Sequence, residues 1–382
     1  AALMLTIFDF DSNAGTPKAK LTAEGALFQA VSRGRTDSVI KILTERVDLH
    51  YAVNGFNSAH IAARKGKSEI LSILFNYDPT LIHSRTQDGR TLHMIAAFEN
   101  HIDSLQVICQ QNEKHGEGNM NEKSFLQLVD NIGNSVLHYS VWGGSLVCTK
   151  YLVETYGANA LVKNNDSMSP LQLACAGNHI EIVAYLLSLS NNDGQDITTD
   201  LSSAGLNSLH RAAQYGSLEA IKLLTSNSSS LDIDINAKSL NGTTALHLAT
   251  KNGNFEVIKY LIESCNADID IANNFGLTAV HLCCTGADRC ILEYLVEKGA
   301  NIALLSSNGD SALHIAASNG KHELCQLLVD LEVVDLSAKN YEGKTPLECA
   351  LASGFKELAN KFALWACIVW KTNELMKMVD LV

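Results

Sequence analysis

One short phrase recurs along almost the whole chain at a nearly constant spacing. Two clear copies read Thr244-Ala-Leu-His247-Leu-Ala and Ser311-Ala-Leu-His314-Ile-Ala-Ala. Counted at the Thr/Ser-type position, ten copies begin at residues 25, 58, 91, 135, 169, 207, 244, 278, 311 and 345. A period near 33 residues predicts a solenoid, in which each repeat buries its apolar face only by stacking on its neighbours.

The copy between Leu240 and Asn273 indicates what one repeat builds. Thr244 suits a helix N-cap, because its hydroxyl can accept a hydrogen bond from a free amide of the first turn. Gly253 suits the left-handed conformation that ends a helix, and the apolar residues of Phe255–Ile262 then form a stripe at helical spacing. We therefore expect two short helices in each repeat.

The phrase resembles the ankyrin repeat, which reads Gly-x-Thr-Pro-Leu-His-x-Ala-Ala, then a glycine that closes the first helix, then a second apolar helix. The resemblance covers roughly residues 22–370. It implies an all-α ankyrin solenoid of stacked helix–turn–helix pairs, with short turns or hairpins on one edge. Departures at the His position are Phe28, Met94, Gln172 and Glu348, and departures at the closing Gly are Asn100, Asn178 and Ala287.

The repeat divides the chain into three parts. We expect an N-terminal extension at 1–21, an array of about ten repeats at 22–370 and a C-terminal capping segment at 371–382. Polar residues at 110–124 break the period and predict a loop insertion, which is either tolerated length variation or a partner contact. Residues 191–200 and 226–230 predict shorter loops for the same reason.

The C-terminus is apolar where a terminal repeat needs a polar outer face. Phe362–Trp370 is apolar on nearly every side, and Lys371–Glu374 then indicates a break. We expect Asn373–Val382 to fold back as a cap over Trp365 and Trp370, or this end to contact a further domain or a second chain.

Charge and cysteine usage narrow the class of function. A formal net charge of −12 opposes binding to nucleic acid or an anionic membrane, and the longest apolar run is too short for membrane insertion. The ten cysteines contain no Cys-x-x-Cys pair. We interpret them as small core residues of a cytoplasmic protein, or of one in a host cytosol if the chain is a secreted effector.

No set of residues in the sequence predicts catalysis. The recurring His residues lie one repeat apart, so we expect each to bind the backbone of an adjoining turn and not a metal ion. Nucleophile, phosphate-binding and zinc-protease patterns are absent from the sequence. We therefore expect no enzyme activity, no cofactor and no metal.

Without a predicted catalytic site, the exposed surface is the part of the chain that we expect to carry its function. In the family that the phrase resembles, the turn tips and the exposed side of each first helix line a concave groove. The residues at these positions that we predict to bind a partner are Arg33, Arg64, Lys65, Phe98, Trp142, Tyr215, Leu240, Phe275 and Tyr341. Aromatic residues and Arg are enriched in interface hot spots. As an alternative, Trp142 and Phe98 pack against the 110–124 insertion.

The function that we predict is that of a protein-interaction scaffold or adaptor, whose partner is a protein of unknown identity. Alternatively, the chain is the recruiting segment of a larger protein, such as an enzyme, a channel or a secreted bacterial effector. In that case the activity lies outside these residues.

Overall fold

A computed structural model describes residues 22–115, 124–193, 200–226, 233–286, 288–331 and 335–379. At residues 115, 190–193 and 368–379 it describes the backbone alone. Within these ranges twenty α-helices follow one another as ten pairs, and no β-strand is present. The predicted N-terminal extension, residues 1–21, lies outside the described residues.

Each repeat contributes a first and a second helix. The pairs are α1 (Ala23–Ser32) and α2 (Thr36–Leu43), α3 (Ser58–Arg64) and α4 (Ser68–Tyr77), α5 (Leu92–Phe98) and α6 (Ile102–His115), α7 (Val136–Trp142) and α8 (Leu146–Lys150), α9 (Pro170–Ala176) and α10 (Ile180–Asp193), α11 (Ser208–Tyr215) and α12 (Leu218–Ser226), α13 (Ala245–Lys251) and α14 (Phe255–Glu263), α15 (Ala279–Gly286) and α16 (Arg289–Glu297), α17 (Ala312–Ser318) and α18 (His322–Asp330), α19 (Pro346–Ala352) and α20 (Lys356–Val379). Short 3-10 segments occupy Pro79–His83 and Ser124–Gln127, and a π-helical turn, Tyr151–Thr155, continues α8.

From the third repeat to the tenth, first helices begin directly after the Thr-type residue of the phrase, as expected. The Thr244 hydroxyl accepts from the His247 amide at 3.4 Å, and the His247 ring accepts from the Thr244 amide, so the two residues satisfy each other's free groups. In the first repeat the sequence placed this position at Gly25, which is wrong by three residues, because Thr22 is the cap and the helix begins at Ala23. In the second repeat the sequence placed this position at Ser58, which is wrong by one residue. Asn57 is the cap there, because its side-chain oxygen lies 3.0 Å from the His60 amide nitrogen.

First helices end where the backbone turns left-handed. Gly253 has φ 74°, and in two repeats that lack the glycine, Asn100 and Asn178 have φ 59° and 55°. Asparagine tolerates this conformation better than other side chains that carry a Cβ. The departures from the phrase at these two positions therefore preserve the turn. Ala287, the third departure, lies outside the described residues.

The chain forms two compact units, residues 1–131 and 132–382. In the first unit, α3 packs against both α1 and α5. In the second unit the first helices pack in chain order from α7 to α19. Ala63, Ala213 and Ala317, which end the Ala-Ala pair of the phrase in three repeats, are fully buried.

Turn tips of neighbouring repeats are joined through the backbone. In the second unit the Leu240 amide donates to the Ala204 carbonyl at 3.2 Å, and the Tyr341 amide donates to the Asn308 carbonyl at 2.9 Å. Between them, Asn274 and Ser307 make the same kind of bond. These bonds use backbone atoms alone, so they form whatever the tip residue is; Asn274 adds a side-chain bond to the Leu240 carbonyl at 2.9 Å.

The predicted loops begin later than expected. α6 continues to His115 and α10 to Asp193, so residues 110–115 and 191–193 are helical. Ser226 likewise belongs to the end of α12. The residues in the first two stretches are polar but include ordinary helix formers, and a helix that has already begun extends at little cost. The centres of these insertions, 116–123, 194–199 and 227–232, lie outside the described residues.

The break predicted at Lys371–Glu374 is absent. α20 is one continuous helix from Lys356 to Val379, so the segment up to Val379 does not fold back over Trp365. Thr372 and Asn373 are weak helix formers, but their combined penalty is only about 1 kcal/mol and strong formers flank them. Contact of this end with a further domain or chain stays a prediction.

Candidate functional site

Four of the recurring histidines, His138, His210, His247 and His314, form a hydrogen bond from one repeat to the next. His247 Nδ1 accepts from the amide of Thr244 at 3.1 Å, which leaves the ring proton on Nε2. Nε2 donates to the Leu277 carbonyl of the next repeat at 3.0 Å. His210 makes the equivalent bond to Thr243 at 2.9 Å, and His314 to Lys344 at 3.1 Å. These contacts confirm the structural role expected from the sequence.

In two repeats another residue replaces this histidine and forms part of the same hydrogen bonding. The Gln172 side-chain amide donates to the carbonyls of Asp200 and Leu206, at 2.8 and 2.9 Å, and thereby replaces the Nε2 donor. In the last repeat, Glu348 accepts from the Thr345 amide at 2.7 Å. A carboxylate has no proton to donate onward, which suits the last repeat of the phrase.

Burial keeps four of the recurring histidines neutral and the Cys283 thiol protonated at neutral pH. Desolvation lowers the pKa of His60 to about 4 and also lowers the pKa of His210, His247 and His281. Desolvation raises the pKa of the Cys283 thiol to about 12. In the described part of the chain, no group of three or more His, Cys, Asp or Glu side chains is placed to hold a metal ion.

Four of the predicted partner-binding residues belong to the first unit. Arg33 and Lys65 are exposed, and Arg64 and Phe98 are half-buried at the ends of α3 and α5. Arg64 Nε lies 3.6 Å from a carboxylate oxygen of Glu99, so its charge is paired with the next repeat. Of the predicted basic side chains, Arg33 and Lys65 are therefore the two that the first unit exposes.

The other five residues belong to the second unit. Trp142 is half-buried at the end of α7, with its ring centroid 5.8 Å from that of Tyr139. Tyr215, at the end of α11, is 46% exposed. The tip residues Leu240, Phe275 and Tyr341 are exposed to 69%, 59% and 78%. Trp142 and the 110–124 insertion belong to different units, and the centre of that insertion lies outside the described residues.

Sequence reasoning missed a second set of inter-repeat contacts. Three residues that stand just before a second helix donate to backbone carbonyls at the C-terminal end of the first helix of the preceding repeat; they are His101, His179 and Asn254. The acceptors are the Arg64 carbonyl at 3.1 Å for His101, the Trp142 carbonyl at 3.2 Å for His179, and the Ala213 and Gln214 carbonyls for Asn254. The signal was available, since all three residues directly follow the left-handed residue of the turn.

Arg211 was also missed. It follows the histidine of the phrase, a position that is apolar in the other repeats from the second to the tenth. The predicted groove residues of the first helices follow the Ala-Ala pair of the phrase, whereas Arg211 precedes it.

No helix in the described ranges combines the length and the apolar composition needed to cross a membrane.

Comparison with known proteins gives both partial relatives and a family. Human transient receptor potential cation channel subfamily A member 1 is 29% identical over 75% of this chain and 28% of the channel subunit. The probable 26S proteasome regulatory subunit p28 of Saccharomyces cerevisiae is 28% identical over 60% of this chain and 83% of that subunit. The NAD-dependent deacetylase sir2B of Dictyostelium discoideum is 24% identical over 85% of this chain and 40% of the deacetylase. The chain therefore spans less than half of two of these three relatives.

The family profile described as ankyrin repeats in three copies matches residues 27–120, 60–164, 119–200, 137–238, 209–306 and 286–364. The windows overlap and leave no gap between the first repeat and the last. This chain belongs to the ankyrin-repeat family.

Proposed function

We propose that the chain is a protein-interaction scaffold or adaptor of the cytoplasm, without catalysis of its own. It binds a partner protein through the groove face of its first helices and through its turn tips. The observation that carries this proposal is the exposure of large apolar side chains at the tips, at Leu240, Phe275 and Tyr341. Large exposed apolar groups gathered along one edge are typical of protein contact surfaces.

The inert interior supports the same proposal. The six recurring histidines are buried, four of them donate to a backbone carbonyl of the next repeat, and most of the cysteines are buried. The family supports it as well, because stacked repeats provide an extended binding surface. Among the relatives, the yeast protein is a probable regulatory subunit of the 26S proteasome, which is a protein assembly.

Affinity capture with a tip variant tests the proposal. The purified chain and the variant Leu240→Ser/Phe275→Ser/Tyr341→Ser are immobilised, exposed to lysate and compared by quantitative mass spectrometry. The matched control is Val147→Ser, because Val147 is 56% exposed on α8, away from the tips. We expect at least one protein that the wild type and the control retain and the tip variant loses.

A variant of the groove face separates the two parts of the proposed surface. Trp142→Ala should weaken the retained partner by about 2 kcal/mol or more if Trp142 is a hot spot. Unchanged affinity with an intact fold would confine the site to the tips. Equal capture by the wild type, the tip variant and Trp142→Ala would contradict the proposal.

A second candidate is that these residues recruit substrates or partners for a larger protein. The observation that favours it is the coverage of the relatives, since the chain matches 28% of the cation channel subunit and 40% of the deacetylase. Sequencing the full-length transcript decides between the two. An open reading frame with a further domain supports the second candidate, and one that ends with the array supports the adaptor.

A further inference from the structure

The side chain of Arg211 interrupts an apolar row on the first helices of the second unit. The first helices α9, α11 and α13 pack side by side. At equivalent positions they carry Leu173, Arg211 and Leu248, all of them half-buried. A guanidinium group therefore lies between two aliphatic side chains, at a place where neighbouring repeats use apolar residues.

Arg211 is only partly satisfied by the protein around it. Its Nη1 donates to the Gln214 side-chain oxygen at 3.1 Å, and this is the one hydrogen bond of the guanidinium among the described residues. Nε is fully buried and has no acceptor there, and no carboxylate comes within ion-pair distance. Desolvation lowers the pKa of Arg211, and the nearby Tyr215 and Asp166 offset this only in part.

This arrangement is unfavourable for the free protein. A cation removed from water without a counter-ion loses solvation that a neutral amide partner does not restore. An arginine offers five donors in a planar fork, which matches the two oxygens of a carboxylate. A charge that weakens the fold at one defined place of a binding face fits a role in recognition.

We propose that Arg211 is the recognition point for a carboxylate of the partner, carried by an Asp or Glu side chain of a peptide segment. Apolar residues that flank this acid on the partner pack on Leu173 and Leu248. Tyr215, exposed at the end of the same helix, adds an aromatic contact beside the acid. The inference rests on the proposed function, and it adds the chemical class of the partner.

The first test measures the free protein. Arg211→Met keeps the aliphatic stem and removes the charge, so its thermal unfolding midpoint should rise by at least 2 °C above that of the wild type. Arg289→Met is the control, because Arg289 is exposed and paired with Glu293 at 2.7 Å. A midpoint for Arg211→Met equal to or below that of the control would show that Arg211 supports the fold, and would overturn the inference.

The second test measures recognition. A phage library of random 12-residue peptides is selected on the wild type, on Arg211→Gln and on Arg289→Gln. We expect the wild type and Arg289→Gln to enrich one Asp or Glu position at least fivefold over the starting library, and Arg211→Gln to lose that enrichment.

Two results of the selection would overturn the inference. One is an equal enrichment of acidic residues on Arg211→Gln, and the other is a set of wild-type binders without an acidic preference. In the second case, binders whose capture is lost with the tip variant would leave the proposed function standing. Failure of the library and of the lysate capture together would count against both.

Discussion

Replacing His247 with alanine removes two hydrogen bonds of a buried side chain, one within its own repeat and one to the next repeat. The Thr244 amide then loses its acceptor at 3.1 Å, and the Leu277 carbonyl loses its donor at 3.0 Å. A buried group left without a partner costs about 1–3 kcal/mol, and water that enters the vacated space recovers part of this. We therefore expect His247→Ala to lower the free energy of unfolding by about 2–4 kcal/mol.

Two further variants make the measurement specific. His247→Gln should recover about half of the loss, because the amide of Gln172 already reaches the equivalent carbonyl, that of Leu206, at 2.9 Å. Glu348→Ala, in the last repeat, removes an exposed acceptor and should cost about 1 kcal/mol or less.

The free energies come from urea titrations followed by circular dichroism at 222 nm. Hydrogen exchange at the Thr244 amide reports the local opening. If His247→Ala costs no more than Glu348→Ala, the histidine does not fasten one repeat to the next and the reasoning fails.

Three other outcomes follow from the packing and the charges. Ala213→Leu should overpack the helix contact and cost about 1–3 kcal/mol in urea titrations, whereas Ala184→Leu, at an exposed site on α10, should cost little; equal effects would mean a misplaced helix face. The pKa of His60 is about 4 in the folded chain and about 6.5 in the unfolded chain. The stability that the neutral ring contributes is therefore complete above pH 6.5 and is lost as the pH falls towards 4. Urea midpoints of His60→Gln should decline less than those of the wild type over that range, and an identical decline would refute the lowered pKa of His60. Deletion of residues 278–310, one whole repeat, should leave a folded shorter array, and loss of the helical signal at room temperature would contradict nearest-neighbour stabilisation.

The parts of the fold that repeat could be predicted from the sequence. The positions of the phrase that His247, Gly253 and Ala213 exemplify recur at fixed offsets. Ten copies therefore predict the same structure, and a clear copy identifies the equivalent positions in a degenerate one. The error at Ser58 shows that the spacing must be applied strictly. Asn57 and Ser58 both suit a helix N-cap, but Asn57 stands three residues before His60, as Thr244 stands before His247, and the reciprocal contact with His60 agrees with that spacing.

The parts that do not repeat were predicted poorly. Polarity at Gln110–His115 indicated a loop, but helix extension depends on the turn already formed and not on polarity alone. The prediction of a break at Lys371–Glu374 was wrong for the same reason, because the helix that begins at Lys356 continues through these residues. Arg211 is visible in the sequence as a charged exception at an apolar position of the phrase, but its partial burial and its lack of a counter-ion among the described residues are not.

The tips show why recognition can vary in this chain while the fold does not. At equivalent tip positions stand Leu240, Asn274, Ser307 and Tyr341, four chemically different residues, and each uses its amide to bind the carbonyl of the preceding tip. The backbone bond is common to all four tips, whereas a side-chain bond to the preceding tip is added by Asn274, whose amide donates to the Leu240 carbonyl at 2.9 Å. Exposed substitutions of this kind change stability by about 0.5 kcal/mol or less. Selection can act on the partner surface at these positions without first restoring the fold, whereas a change at His247 would have to satisfy two buried groups in two repeats.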